Sequence, residues 1–340
     1  MIELKHNKLV FSFPEVHPDA RLEIEFERTL RIPDDGNDHF LPPGLGSFPL
    51  KHVDDFAGGV PGQWLEHGGV MLPIHQAEAM WLLFRSSYVS GHGAQYPFAV
   101  KIAAGKIDAV SGEQWTNGLH GVPQDYAVVP GQPWLDGFCV EKGIIRQFVA
   151  MPLGGGYTAE EQITGAAEFG GLQIVAYPMK REAFERRFPK RGRRDLEICE
   201  SISMPMMASP DMGLAPGGRM KQEIFEDPFD FNDWDRSSSS RCFVHIANSL
   251  VWRAITGEAP PTVPPTAQAY TSAGLPWFDY YAEGAEALEG SDILKQLKSV
   301  IQLGREKREA PVPENGPVRP DAVVRLGDKR PRSHVREGRF

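Results

Sequence analysis

Glycine and proline interrupt this chain so often that long regular elements cannot form. The 340 residues include 35 glycines and 29 prolines, nearly one residue in five, whereas an average protein has about 12% of the two together. Both residues favour turns and weaken the interiors of helices and strands. The chain therefore predicts short elements joined by many turns, and it excludes helical bundles, coiled coils and collagen.

The clearest periodic segment spans residues 22–32, where apolar and charged residues alternate. Leu22 and Ile24 fall on one face and the interleaved glutamates fall on the solvent face, which predicts a half-buried strand. Residues 2–13 are its expected partner, because 14–19 resembles a turn and consecutive strands usually pair. Further short strands are expected at 98–102, 106–110, 126–129, 137–141, 144–151, 172–177, 196–203, 220–226 and 242–246.

Many short strands separated by Gly and Pro turns are typical of sheet-on-sheet packing. We therefore expect a β-rich α+β protein, in which antiparallel strands form a sandwich-like core with a few peripheral helices. Those helices are expected at 72–86, at 247–256 before Gly257, and at 291–307 with Ser291 as the N-cap.

Composition changes near residue 310, beyond which the chain is rich in Pro and Arg and has no apolar period. A segment of this kind buries too little apolar surface to fold by itself. We therefore expect one integrated β-rich domain over residues 1–309 and a Pro/Arg-rich tail over 310–340. A subdivision of the domain near 180–195 is the alternative.

Charge, apolar runs and cysteine content narrow the class of protein. The net charge of −9 argues against a nucleic-acid surface, because phosphate binding needs clustered Lys and Arg. The longest apolar run is the six residues 79–84, whereas a membrane-spanning helix needs about 20. The first residues show no apolar export signal and the three cysteines are widely spaced, so we expect reduced thiols in a soluble cytoplasmic protein.

Two glycine-rich turns have the composition of anion sites. The glycines at 154–156 precede Thr158 and Glu161, which predict a capping box at the start of a helix. Acidic residues in that first turn would repel an anion, so a structural turn is favoured there. The second turn combines backbone amides with two cations and is the better anion site. Its candidate residues are Gly217, Gly218, Arg219 and Lys221.

A run of cations lies between Arg186 and Arg194, where six of nine residues are Lys or Arg. A solvated loop is the common interpretation of such a run. The alternative is that this run, or the basic tail, contacts the acidic surface of a second copy, because the chain as a whole is acidic. The sequence thus allows a homo-oligomer held partly by charge.

Two patterns have the residue types of metal sites. His75 and Glu78 would share one face of the helix expected at 72–86, and the loop residue His67 would add a third metal ligand. Hydrogen-bonded histidines explain the same pattern. The acidic loop near residue 230 offers the oxygen ligands that Ca²⁺ prefers, although it lacks the order of an EF-hand. The calcium candidates are Asp227, Asp230, Asp233 and Asp235.

Two tryptophans lie close in sequence to carboxylates, as in sugar-binding sites. These pairs are Trp134 with Asp136 and Trp277 with Asp279. Buried anchoring is the other interpretation of both indoles. No GxSxG motif or other complete nucleophilic constellation accompanies them.

Three segments, at 132–165, 209–224 and 242–261, together with GLPWFDYY at 274–281, are similar to a family of uncharacterised bacterial and fungal proteins. This resemblance spans residues 20–300 and implies a single integrated fold, with no known activity. The sequence favours a non-enzymatic binding or assembly protein. The alternative is a hydrolase or carbohydrate-active enzyme, with a loop-built site near Trp134, Asp136 and the histidines.

Overall fold

A computed structural model describes residues 1–190, 208–280, 285–310, 312–313, 315–316 and 318–326. The strands are β1 Ile2–Lys5, β2 Lys8–Ser12, β3 Arg21–Thr29, β4 Asp38–His39, β5 Gly44–Ser47, β6 Lys51–His52, β7 Val70–Ile74, β8 Ala79–Ser86, β9 Tyr88–Val89, β10 Ala94–Gln95, β11 Phe98–Ala104, β12 Ile107–Asp108, β13 Ala127–Val129, β14 Trp134–Leu135, β15 Gly137–Glu141, β16 Ile144–Pro152, β17 Leu172–Pro178, β18 Ala208–Lys221, β19 Ser240–Asn248, β20 Trp277–Tyr280 and β21 Val323–Leu326. The helices are α1 Gly62–His67, α2 Ala159–Thr164, α3 Arg181–Arg187, α4 Ser249–Thr256, α5 Ala267–Ser272, α6 Asp292–Lys295 and α7 Val300–Lys307.

Mostly antiparallel pairing joins 17 of the described strands into one large sheet, while β9 with β10 and β20 with β21 form two small two-stranded sheets. Successive hydrogen-bonded neighbours are β1, β2, β3, β8, β16, β18, β19, β17, β11 and β13. The short strands β4 and β7 add in parallel to β18 and β19. One apolar core contains Leu9 and Ile24 from the first strands of this path and Val100 and Ile174 from the last, so the sheet folds over a shared interior. The expected β-rich α+β fold is confirmed.

Strand β3 follows the predicted alternation on its apolar face and departs from it on the other. Leu22 and Ile24 are fully buried, and the strand pairs with β2 as expected. Glu25, however, is only 7% exposed, because Lys8 lies 3.1 Å from its carboxylate and Arg85 also pairs with it. The face expected to meet solvent is therefore covered by charged partners.

The prediction of a helix at 72–86 is wrong. This segment forms β7 and β8, joined by a turn in which Ala77 has a φ of +64°. Strand β7 lies beside β19 and β8 lies beside β3. Hydrogen bonding to these neighbours outweighs the local helical spacing of apolar residues.

The helix expected at 291–307 is divided into α6 and α7. Ser291 caps α6 as predicted, but Ser299 and Gln302 form a second capping box that starts α7. The helix that ends at Gly257 is present as α4. Of the remaining predicted strands, 220–226 is a strand only to Lys221, and 196–203 lies outside the described residues.

Part of the predicted tail packs against the body of the protein. Val312 and Val318 are buried, and the Asn315 side chain donates a hydrogen bond to the carbonyl of Arg31. Strand β21 then pairs in parallel with β20. The composition of this segment did not predict that packing.

Candidate functional site

A pocket lies where the strand pair β20 and β21 meets the main sheet. Strands β8 and β14 and the loop before β5 form its other walls. Its volume is about 200 Å³. We call it the aromatic pocket, and it is lined by Leu41, Pro42, Pro43, Gly44, Trp81, Trp134, Asp136, Phe278 and Leu326.

Strand register places two indoles side by side in this pocket. Trp134 in β14 pairs with Leu83 in β8, and Trp81 lies two residues from Leu83, so both indoles share one face of the sheet. Their ring centroids are 6.3 Å apart at an interplanar angle of 75°. The Tyr280 ring also packs against Trp134, with centroids 4.7 Å apart at an interplanar angle of 62°. The result is a fixed aromatic wall.

The opposite wall is held by backbone hydrogen bonds. The N–H of Leu41 donates to the carbonyl of Phe278 and the N–H of Phe278 donates to the carbonyl of Leu41, both at 2.9 Å. The neighbouring Trp277 is fully buried, and its indole N–H donates to the hydroxyl of Thr271 at 3.1 Å. Phe278 therefore faces the pocket on a strand that is anchored from behind.

Asp136 supplies the polar group of the pocket. It is 4% exposed, accepts a hydrogen bond from the Gln222 side chain at 2.8 Å, and its own backbone N–H donates to the Gln222 amide oxygen at 3.0 Å. Burial raises the pKa of Asp136 to about 7, and hydrogen bonds from Trp134 and Gln222 oppose that rise. The carboxyl group therefore titrates near neutral pH and can donate as well as accept.

A second carboxyl group lies next to Trp81 on the neighbouring strand. Glu27 in β3 pairs directly with Trp81 and accepts a hydrogen bond from the Ser47 hydroxyl at 2.5 Å. Burial raises the pKa of Glu27 as well. Glu27 does not line the pocket, so Asp136 is the one titratable side chain among the described lining residues.

The four residues proposed for sugar binding separate into two roles. Trp134 and Asp136 line the pocket, and their part in sugar binding stays a prediction. Trp277 is the buried anchor described above. Asp279 is half-buried, its carboxylate lies 3.9 Å from the Arg325 side chain, and it is not among the residues that line the pocket. The sequence did not identify Trp81 or Phe278, although Trp81 would have been found on the correct face had 79–86 been read as a strand.

The proposed metal ligands have other partners. Glu78 accepts a hydrogen bond from the Arg28 guanidinium at 2.7 Å, and the ring Nε2–H of His75 donates to the carbonyl of Pro261 at 2.8 Å. His67 stacks on an aromatic side chain of β19, with centroids 4.5 Å apart. Among the residues that the structure describes, no group of three or more His, Cys, Asp or Glu is arranged to hold a metal ion.

The proposed calcium ligands also face separate partners. Asp227 accepts hydrogen bonds from a tyrosine hydroxyl and a tryptophan indole. Asp230 and Asp235 accept backbone N–H groups of their own turns, and Asp233 pairs with two arginines of α3 at 2.7 and 2.5 Å. These contacts stabilise the loop without directing the carboxylates to one centre.

The proposed anion site is a sheet contact. A Cβ on Gly217 would lie 2.5 Å from a valine methyl of β16, and one on Gly218 would lie 2.2 Å from the carbonyl oxygen of Pro33. Glycine is thus required by close packing of β18. Arg219 pairs with carboxylates at 2.7 and 3.0 Å, and Lys221 lies 4.6 Å from the centre of a phenylalanine ring. Arg219 therefore has carboxylate partners and Lys221 has an aromatic partner within the chain.

The other glycine turn has the predicted structural role. Thr158 and Glu161 form the capping box at the start of α2. The N–H of Gly156 donates to the Glu161 carboxylate at 2.7 Å. A carboxylate of the chain itself therefore occupies the position that an anion would take.

Two arginines of the basic run form ion pairs within the chain. Arg186 and Arg187 pair with the buried carboxylate of Asp233. Lys190 is exposed, and residues 191–194 lie outside the described part of the chain.

Comparisons with models of protein families, with curated proteins and with solved structures gave no match. Among the described residues, no helix has both the length and the apolar character needed to cross a membrane. Function therefore has to be inferred from the chemistry of the site.

Proposed function

We propose that this protein is a non-enzymatic binding protein that holds a single sugar ring in the aromatic pocket. The observation that carries this proposal is the convergence of Trp81, Trp134 and Phe278 on one carboxyl group, Asp136. Indole faces pack well against the C–H face of a pyranose, because both surfaces are flat and apolar. A carboxyl group with a pKa near 7 can donate to or accept from a sugar hydroxyl.

The size of the pocket supports a small ligand. Sites for drug-sized molecules typically exceed about 300 Å³, whereas this pocket has about 200 Å³. One ring fits that volume better than an oligosaccharide does. A ligand of this size with a single polar anchor should bind weakly, with a Kd of roughly millimolar.

The lining residues favour binding over catalysis. Glycoside hydrolysis uses two carboxyl groups on opposite sides of the bond that breaks. Asp136 is the one carboxyl group among the described lining residues, because Glu27, although it is paired with Trp81 across the strands, does not line the pocket. The contacts support capture of a ring and provide no second group to act on it.

Calorimetric titration with methyl glycosides of glucose, galactose and mannose tests the proposal. We expect at least one glycoside to bind the full chain and Trp134→Ala to remove the binding. Tyr88→Ala is the matched control, because Tyr88 is an exposed aromatic residue outside the pocket, and it should bind as the wild type does. Absence of binding by all three glycosides would contradict sugar recognition, and turnover of a nitrophenyl glycoside that Asp136→Asn abolishes would establish an enzyme instead.

A further inference from the structure

The first strand of the main sheet has one edge without a partner strand among the described residues. Strand β1 pairs with β2 on one side, and no other described strand pairs with it. The two residues that join β1 to β2, His6 and Asn7, both have positive φ, which is the geometry of a type I′ hairpin turn. This turn fixes the register of β1 on β2, and the register determines which backbone groups of β1 point to the open edge.

Backbone hydrogen bonding alternates along β1. The Met1 ammonium donates to the carbonyl of Ser12 at 3.0 Å, and the N–H of Ser12 donates to the carbonyl of Met1 at 2.9 Å. Because the pattern repeats every second residue, Glu3 and Lys5 also direct their backbone groups at β2. The N–H and C=O of Leu4 therefore point away from β2, and no described residue forms a hydrogen bond with them.

The side chains of this strand carry charges of opposite sign. Glu3 and Lys5 lie on the same face of β1, because they are two residues apart, and their side chains are 42% and 51% exposed. Within the chain, the Lys5 ammonium donates to the Glu3 carboxylate at 2.7 Å. An ammonium group has three donors, so Lys5 can bind a second carboxylate at the same time.

A two-fold axis at Leu4 makes this edge complementary to itself. In an antiparallel pair centred on Leu4, each Leu4 exchanges both backbone hydrogen bonds with the Leu4 of the other copy, as the outward direction of these groups requires. The same register sets Glu3 of each copy opposite Lys5 of the other. Charges of one sign, such as lysines, protect many edge strands, because they repel a second copy. The two signs in β1 attract a second copy instead.

We infer that β1 is the interface of a homodimer, in which the large sheets of two copies join edge to edge at Leu4. A second copy fits better than an unrelated strand, because one register of β1 with itself forms both charge pairs and both Leu4 hydrogen bonds. The strand has four residues, so the interface is small and the dimer weak, with a Kd of roughly 0.1 mM. The strand is already ordered, because the turn holds one end and the Met1 ammonium, which also donates to the Ser240 hydroxyl at 3.2 Å, holds the other. This inference is independent of the aromatic pocket.

Charge reversal tests this interface, with sedimentation equilibrium of the full chain between about 0.01 and 0.5 mM as the measurement. We expect the wild type to dimerise, and Glu3→Lys and Lys5→Glu each to weaken the dimer at least about tenfold, because each sets like charges opposite one another twice. An equimolar mixture of these two variants should dimerise again, since every charge pair across the mixed interface then has opposite signs. Lys142→Glu is the matched control, because it makes the same change at an exposed residue of the turn after β15, and it should dimerise as the wild type does.

Two further measurements locate the contact without relying on charge. Hydrogen exchange of the Leu4 amide should be about threefold slower at 0.5 mM than at 0.01 mM wild type, because the dimer holds this N–H in a hydrogen bond. Leu4→Pro removes the outward N–H and no β1–β2 hydrogen bond, and it should stay monomeric. A wild type that is monomeric at 0.5 mM, a mixture of the two charge variants that does not dimerise, or a dimer in which exchange at Leu4 is independent of protein concentration would overturn the inference.

Discussion

At the scale of single residues, burial determines the chemistry of the aromatic pocket. Asp136 is a carboxyl group with two hydrogen-bond partners and no cation. A neutral carboxyl group is the stable form in such surroundings, because no charge compensates for the loss of water. Its titration must therefore influence the stability of the fold.

We expect the stability contributed by Asp136 to fall as pH rises. Its folded-state pKa of about 7 lies above the unfolded value near 4, so the folded state binds more protons between these two values. The stability is fully present below pH 4 and is lost as pH rises through 7. Asp136→Asn cannot ionise and should lack this loss.

Urea denaturation at pH 4.5 and pH 7.5 measures the effect. The free energy of unfolding of Asp136→Asn, relative to the wild type, should increase by more than about 1 kcal/mol between these pH values. Subtracting the variant from the wild type cancels other groups that titrate in this range, such as Asp108. An unchanged difference would show that Asp136 is ionised throughout.

Strand β3 allows a second prediction at this scale. Leu22→Ala and Ile24→Ala should each destabilise the fold by about 2–5 kcal/mol, because both side chains are fully buried and truncation leaves a cavity. Glu23→Ala should stay within about 0.5 kcal/mol. Glu25→Ala should cost more than Glu23→Ala, since it leaves Lys8 and Arg85 without their shared carboxylate. Equal denaturation midpoints for the two glutamate variants would contradict the observed pairing.

At the scale of elements, sequence patterns identified strands better than they identified helices. The alternation in β3 was sufficient to predict that strand, because the signal is local. The segment 72–86 was misassigned, because its apolar spacing fits a helix while its partners, β3 and β19, are distant in sequence. The pocket could be only half predicted for the same reason, since Trp81 belongs to that segment.

The C-terminal strand pair allows a prediction for this scale. Removing residues 322–340 should leave the melting temperature nearly unchanged, because β21 is exposed along its length, but it should weaken ligand binding by removing Leu326. Removing 310–340 should lower the melting temperature by more than about 2 °C, because Val312 and Val318 are buried. Calorimetric scans of the two truncated chains check this. Equal melting temperatures would show that residues 310–321 add nothing to the fold.

At the scale of the whole molecule, charge predicts how copies would interact. The chain carries a net charge of −9, while Lys190, in the basic run, is exposed. We expect any self-association to weaken as salt rises, because exposed ion pairs are screened over about 8 Å at physiological ionic strength. Sedimentation velocity at low and high salt measures it. A monomer at every salt and protein concentration would contradict an assembly role.

The central claim is that the aromatic pocket is a ligand site, and the seven tryptophan indoles report on it directly. Each gives one N–H signal in a ¹H–¹⁵N spectrum, and single Trp→Phe variants assign them. Titration with the methyl glycoside of highest affinity should shift the Trp81 and Trp134 signals at low concentration and leave those of Trp64 and Trp252 unchanged. Shifts that begin elsewhere, or none at Trp81 and Trp134 while the glycoside binds, would contradict the account.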